Sequence, residues 1–274
     1  MKTLYVSDLD GTLLSSKRCV SENSIRIINE LIEKGMLFTY ATARSLSSAS
    51  VVTKGLQIKT PIIAYNGAHI FDPQTGKRMA SEGFGNEEVA YVKGVLEQQC
   101  ISPLVYAFVE EKETVSWVKG TETVGVQSYL DSRKNDKRMR GLETVEKLYE
   151  GEVFYFTCIG EKEQFEQAYD ILKKDERLTC TFQPEPQKKE EYWLEIMPRK
   201  ATKANAITKL KEILGCDEII SFGDAMNDIP MFQISDECYA MENAVDALKE
   251  IATEIIASND ADGVAKWLCQ HAKW

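Results

Sequence analysis

Leu4-Tyr5-Val6-Ser7-Asp8-Leu9-Asp10-Gly11-Thr12-Leu13-Leu14 is the stretch on which the reading of this 274-residue chain turns. The apolar run from Leu4 to Val6 reads as a short buried strand. It stops at two aspartates one residue apart, and a glycine and a threonine then turn the chain. In an open α/β sheet, ligands bind outside the carboxyl ends of the strands. Two carboxylates there repel each other, and a hard cation such as Mg²⁺ is their natural partner. The same residues also suit a plain turn, because Asp-Gly is a common turn pair and Asp accepts hydrogen bonds from nearby backbone N–H groups. The choice between site and turn rests with the remainder of the chain.

Working outward, the dominant pattern is alternation. Ser21 is expected to cap a helix with Ile25, Ile28, Leu31 and Ile32 on one face, closed by Gly35. Met36 to Tyr40 reads as a second buried strand, ending at Ala41-Thr42-Ala43-Arg44, which is expected to open a helix through about Thr53. Pro61 to Tyr65 reads as a third strand, ending at Asn66-Gly67. Strand–helix–strand alternation means parallel strands with right-handed crossovers, so these ends gather on one edge.

From Gly83 the texture changes to hairpins and helices, and Pro184 to Lys189 reads as a loop or linker. The alternation then resumes with an expected strand at Tyr192–Met197, a helix at Ala201–Leu214 and a strand at Glu218–Phe222. The expected organisation is a doubly wound, Rossmann-like parallel-sheet α/β core from residues 1–82 and 190–274, with an inserted α+β cap at 83–189.

A second acidic strand end weighs against the plain turn. Glu218–Phe222 stops at Gly223-Asp224-Ala225-Met226-Asn227-Asp228. Acids in the first turn of a helix also suit its dipole. Yet two acidic strand ends, far apart in sequence and in a fold that brings strand ends together, point to one shared Mg²⁺ site.

Composition narrows the class. Lys and Arg number 33 against 43 Asp and Glu, a net charge of −10, which argues against general nucleic-acid binding. An anionic substrate must therefore be attracted by a few local cations. No apolar run approaches the ~20 residues that span a bilayer, and Met1-Lys2-Thr3 leads into a strand without a signal-peptide pattern. The expected location is the cytoplasm, with no membrane partner. Seven scattered cysteines, none in Cys-x-x-Cys, argue against a disulfide framework or a zinc site. Of the two histidines, His69 reads as a half-buried strand residue and His271 as a solvated terminal one.

With these residues assembled, the chain resembles the haloacid dehalogenase-like hydrolases, and more narrowly the Cof-type phosphatases with a large α/β cap. Asp8-Leu9-Asp10-Gly11-Thr12 is similar to the family's first motif and Thr42-Ala43-Arg44 to the second. Lys203 in Ala201-Thr202-Lys203-Ala204 resembles the third, and Gly223 to Asp228 the fourth. Asn66-Gly67-Ala68 and Asn259 to Val264 match further recurring stretches. The resemblance covers the whole chain in order, with the insertion between the second and third motifs. Two departures stand out: the family usually has glycine where Ala43 and Ala204 stand, which bears on the fit of the phosphate loop and helix.

The resemblance implies a Mg²⁺-dependent phosphatase acting on small phosphate monoesters, such as sugar phosphates, through an aspartyl-phosphate intermediate. It implies Asp8 as nucleophile and Asp10 as general acid and base, with Asp8, the Asp10 backbone carbonyl and Asp224 on the metal. Leu9, Thr42, Ala43 at a helix start, Lys203 and Asn227 form the implied phosphate-binding set, and Asp228, Arg44 and Asn66 support it. Arg44 could contact phosphate or sit at the seam with the cap, and Asn66 could be a turn residue. Asn259 and Asp262 read as a turn supporting the metal loop. The cap cluster Arg133, Lys134, Lys137, Arg138 and Arg140 reads as a solvated face, and Trp117 and Trp193 as cap core. The expected partner is a small phosphorylated metabolite, and the expected state a monomer or weak dimer. A phosphomutase of the same superfamily and a non-catalytic phosphometabolite-binding regulator are the alternatives.

Overall fold

The two acidic strand ends are neighbours because their strands pair directly. In the computed structural model, which describes residues 1–185 and 188–273, strand Thr3–Ser7 runs parallel to Glu218–Gly223, with Ser7 opposite Phe222. The sheet has five strands, in the order Glu254–Ile256, Glu237–Met241, Glu218–Gly223, Thr3–Ser7 and Leu37–Tyr40. All its pairings are parallel. Every residue of Thr3–Ser7 is buried, as expected of a parallel strand covered on both faces. From Thr3–Ser7 the chain moves one way, to Leu37–Tyr40; from Glu218–Gly223 it moves the other way, to Glu237–Met241. The strand order therefore reverses between the two strands that carry the aspartates, and such a reversal opens a crevice at their carboxyl ends.

Helix Glu22–Glu33 starts where Ser21 Oγ accepts from the Ser24 N–H at 3.0 Å, and it buries Ile28, Leu31 and Ile32. It packs against the last helix, Gly263–His271. Trp267 of that helix meets the rings of Tyr5, Phe222 and Tyr239, at 6.4, 5.2 and 4.2 Å. His69 is buried, and burial pushes its imidazole down to about 3, with Arg78 acting in the same sense.

Two local expectations change. Ile62–Ala64 pairs antiparallel with His69–Phe71, which in turn pairs with Arg78–Ser81. Its ladder link to the parallel sheet, among the described residues, is the isolated bridge Ala41–Ile63. The helix after Leu37–Tyr40 begins at Leu46, not at Thr42, because Ser45 Oγ caps it by accepting from Ser48 N–H at 3.2 Å. Thr42 to Arg44 form a bent loop between strand and helix.

The chain divides into two units, one of Met1–Ser81 with the residues from Ala201 onward, the other of Glu82–Lys200. The second unit is a six-stranded sheet, in the order Leu178–Glu185, Lys188–Pro198, Glu152–Gly160, Leu104–Val109, Lys112–Val118, Met139–Leu142. Helices Asn86–Gln98 and Lys162–Leu172 pack on it through Val92, Leu96, Phe165, Phe156, Leu194 and Ile196. The strand expected to resume the core, Tyr192–Met197, belongs instead to this sheet, paired on both sides within it. The expected linker accordingly falls inside this unit, with Glu185 opposite Lys188; Pro186 and Gln187 lie outside the described residues.

The basic cluster is not a uniformly solvated face. Arg138, 15% exposed, binds Glu113 at 2.5 Å and Asp136 at 2.6 Å, and Arg140 binds Glu150 at 2.7 Å. The Arg133 guanidinium lies 3.6 Å from the centre of the Tyr129 ring. Trp117 and Trp193 are half-buried and stand outside the apolar cluster. No helix among the described residues is long and apolar enough to cross a membrane.

Candidate active site

The site is built on the two central strand ends. The Asp8 N–H donates to the Phe222 carbonyl at 3.0 Å, which fixes the start of the first loop. The loop then folds back, with Leu13 and Leu14 N–H donating to the Leu9 carbonyl at 3.1 and 2.8 Å. Gly11 sits at φ +78°, and a Cβ there would land on the Asp224 carboxylate. Glycine is therefore required both by conformation and by the approach of the two motifs. Thr12 Oγ1 completes the junction by donating to Asp224 Oδ1 at 2.9 Å.

Asp228 is held from three sides. Its Oδ2 accepts from the N–H groups of Asp224 and Ala225, both at 3.1 Å, and its Oδ1 accepts from Lys203 Nζ at 2.7 Å. Lys203 opens helix Lys203–Leu214, whose cap Thr202 accepts from Asn205 N–H at 3.1 Å. Only 3% exposed, Lys203 also donates to Asp8 Oδ1 at 2.6 Å.

Asp8, Asp224 and Asp228 each present a carboxylate oxygen within 4.8 Å of the others. Lys203 binds two of the three, Asp8 and Asp228, so three carboxylates face one ammonium and the cluster carries excess negative charge. Burial pushes Asp8 up to about 7, opposed by Lys203 and reinforced by Asp228. Burial likewise pushes Asp224 up to about 6, with the Thr12 hydrogen bond opposing. Burial works against the Lys203 charge, but Asp8 and Asp228 outweigh it and hold the ammonium above its ordinary value. An all-oxygen, anion-rich set fits a hard divalent cation. Both Asp228 oxygens are already bound by protein donors, so Asp8 and Asp224 are the side chains suited to ligate it.

The family model of the haloacid dehalogenase-like hydrolases matches residues 5–268 of this sequence. The chain belongs to that family. Among similar proteins, the Bacillus subtilis 5-amino-6-(5-phospho-D-ribitylamino)uracil phosphatase YwtE is 28% identical, across 98% of each chain. A second B. subtilis phosphatase of the same description, YitU, is 26% identical across 98% of this chain and 97% of its own. A crystal structure of a Thermotoga maritima protein shares the fold, with a TM-score of 0.81 at 24% identity over 100% of this chain and 99% of its own. A haloacid dehalogenase-like hydrolase from Bacteroides thetaiotaomicron gives 0.75 at 25% identity, over 97% and 98%.

Against the family's motif order, the first, third and fourth motifs converge on the acidic cluster. The second is placed differently from expectation. Thr42 is fully buried, and its Oγ1 accepts from Arg44 N–H at 3.1 Å; neither it nor Ala43 stands at a helix start. The Arg44 guanidinium grips the Asp10 carboxylate. Leu9 is buried. Asn227 is exposed beside Asp228. Asn259 and Asp262 brace the first loop and first helix: Asn259 Nδ2 donates to the Leu14 carbonyl at 2.8 Å, and Asp262 accepts from Ser21, Asn23 and Ser24. Two supports escaped the sequence reading, Thr12 and Asn243. Asn243 Nδ2 donates to the Gly11 carbonyl at 2.8 Å, while its Oδ1 accepts from Asn259 N–H at 3.1 Å. Asn243 follows strand Glu237–Met241, so the same strand-end logic points to it.

Asn66 lies in a turn where Tyr65, Asn66 and Gly67 all have positive φ, at 51°, 52° and 102°. Its N–H donates to the Thr42 carbonyl at 2.8 Å, and its buried Oδ1 has no hydrogen-bond partner among the described residues. A Cβ on Gly67 would run into the Thr202 carbonyl, at the start of the Lys203 helix. Gly67→Ala is expected to cost about 2–4 kcal/mol through strain and overpacking, visible as a lower urea midpoint. It also displaces Lys203, so turnover should fall alongside stability. An unchanged midpoint contradicts this close packing.

Proposed function

We propose that this haloacid dehalogenase-like hydrolase is a Mg²⁺-dependent phosphatase of small phosphate monoesters, working through an aspartyl phosphate on Asp8. The observation that carries the reading is the buried contact of Asp8 with Lys203, inside a carboxylate cluster at the switch point of a parallel sheet. Phosphate monoesters hydrolyse very slowly in water, and dividing the reaction through a covalent intermediate lowers the barrier. An Asp8 oxygen attacks phosphorus as the bond to the alcohol oxygen breaks, and Asp10 gives that oxygen its proton. Water then attacks the phosphoryl group, Asp10 takes the water's proton, and inorganic phosphate leaves Asp8. Lys203 offsets the charge that nucleophile and phosphate bring together. Thr42 keeps a hydroxyl hydrogen available to a phosphate oxygen, with Ala43 N–H beside it, and Leu9 N–H and Asn227 flank the same region. Asp8, Asp224 and the Asp10 carbonyl hold the cation, and Asp228 fixes the Asp224 loop. The bound Mg²⁺ supplies the positive charge that lets an anionic nucleophile meet an anionic phosphate.

The substrate class is a small cytoplasmic phosphometabolite. The names of the relatives make 5-amino-6-(5-phospho-D-ribitylamino)uracil the first compound to try, together with sugar phosphates. Release of inorganic phosphate with Mg²⁺, abolished by EDTA and needing no activating bisphosphate, is the expected result; no release from any of them overturns the reading.

The cation also leaves a signature in stability. Asp8 and Asp224 have folded-state values raised above those of the unfolded chain. Without metal, their contribution is fully present below about pH 4 and is lost as pH rises through about 6–7. Cation binding needs both groups deprotonated, so it stabilises most at high pH. Millimolar MgCl₂ is expected to raise the thermal midpoint by about 5 °C at pH 8 and by under about 1 °C at pH 5. Equal shifts at the two pH values contradict the assignment.

A further inference from the structure

Arg44 binds Asp10 through a two-pronged contact. Its Nε donates to Asp10 Oδ2 at 2.7 Å, and its Nη2 donates to Oδ1 at 2.6 Å. The guanidinium is itself anchored, because Nη1 donates to Ser48 Oγ at 3.1 Å. Its main chain is pinned at both ends: the N–H donates to Thr42 Oγ1 at 3.1 Å, and the carbonyl accepts from Tyr65 N–H at 3.0 Å. The Asp10 side chain is 53% exposed and that of Arg44 22%. Such a pair adds little to stability. What a planar fork supplies is orientation, since it matches both oxygens of a carboxylate at once.

We infer that Arg44 is the positioning residue of Asp10, holding its carboxyl group where it meets the leaving oxygen and receiving it back as a carboxylate. The inference rests on the phosphatase reading above. While the fork is closed, both Asp10 oxygens accept hydrogen bonds. To act as an acid, Asp10 frees one oxygen, which carries the proton. As the phosphorus–oxygen bond breaks, that proton passes to the alkoxide, and Asp10 is left as the anion that the fork fits. The fork is thus the resting place of Asp10 between its two proton transfers. Arg44 touches no reacting atom in this role; it acts through Asp10.

Leaving-group dependence separates this role from direct phosphate binding. An alkyl phosphate needs its leaving oxygen protonated, whereas p-nitrophenyl phosphate expels a stable phenolate unaided. General acids contribute about 10²–10⁴-fold. Arg44→Gln is therefore expected to lower kcat/KM about 100-fold on an alkyl sugar phosphate and less than about 3-fold on p-nitrophenyl phosphate. Arg44→Lys keeps the charge but loses the fork, so it should stay at least about 10-fold down on the alkyl substrate. In an Asp10→Asn background, Arg44→Gln should add less than about 2-fold on p-nitrophenyl phosphate, because its intermediary is already gone. Equal losses on both substrates, or a loss that persists in the Asp10→Asn background, overturn the inference in favour of direct phosphate contact. Full alkyl activity in Arg44→Gln overturns it as well. Asp8→Asn serves as the separate control: if that variant keeps alkyl activity, the phosphatase mechanism fails, whatever Arg44 does.

Discussion

Asp8→Asn is expected to abolish turnover, by about 10⁴-fold or more, while the protein stays folded. An amide cannot accept the phosphoryl group and return it to water, so the covalent route closes. The effect on folding has the opposite sign to the effect on activity. Asp8 is 5% exposed and lies in a cluster of three carboxylates, two of which share Lys203. Removing one anion relieves repulsion, and Lys203 keeps Asp228 as its partner. In EDTA at pH 8, the thermal midpoint of Asp8→Asn should equal or exceed that of the parent. With MgCl₂ the order should invert, because the variant has lost a ligand. Phosphate release at the parental rate sinks the nucleophile assignment, and an unfolded variant sinks the electrostatic argument.

Lys203→Met is expected to produce the largest loss of stability at any single position of the site. Methionine roughly preserves the length of the side chain but removes the charge that two buried carboxylates share. Breaking a buried pair by deleting one partner typically costs about 3–5 kcal/mol, because the remaining charges are stranded. The loss should appear in urea unfolding at pH 8. It should shrink at pH 5, where Asp8, pushed up to about 7, takes a proton instead. Turnover should fall as well, by about 10³-fold. A Lys203→Met protein as stable as the parent at pH 8 would mean that the carboxylates are solvated rather than buried.

Much of this was legible in the sequence because the chemistry sits at strand ends. Asp8 and Asp224 each follow an apolar run, and parallel order alone brings such ends together. The doubly wound arrangement followed from alternation for the same reason: burial on both faces leaves a plain apolar signature. The strand Lys188–Pro198 was misassigned because its pattern records burial, not partners; the same residues suit either sheet until pairing with Glu152–Gly160 is known. The helix start at Leu46 was missed because Thr42 and Ser45 are both good caps, and the bridge of Ala41 to Ile63 draws the first into a strand extension. Arg44 could not be resolved, since a long side chain reaches several partners, and only the fold puts Asp10 within 2.7 Å.

The pairing of Thr3–Ser7 with Glu218–Gly223 also sets the order in which a newly made chain can become an enzyme. At about 5–20 residues per second, roughly 10–40 s of synthesis separate Ser7 from the strand it needs. The segment Glu82–Lys200 is continuous in sequence, so it can finish folding on the ribosome while the first strand still lacks its neighbour. The first strand thus completes its pairing late, and the carboxylate cluster assembles only once the fourth motif has emerged.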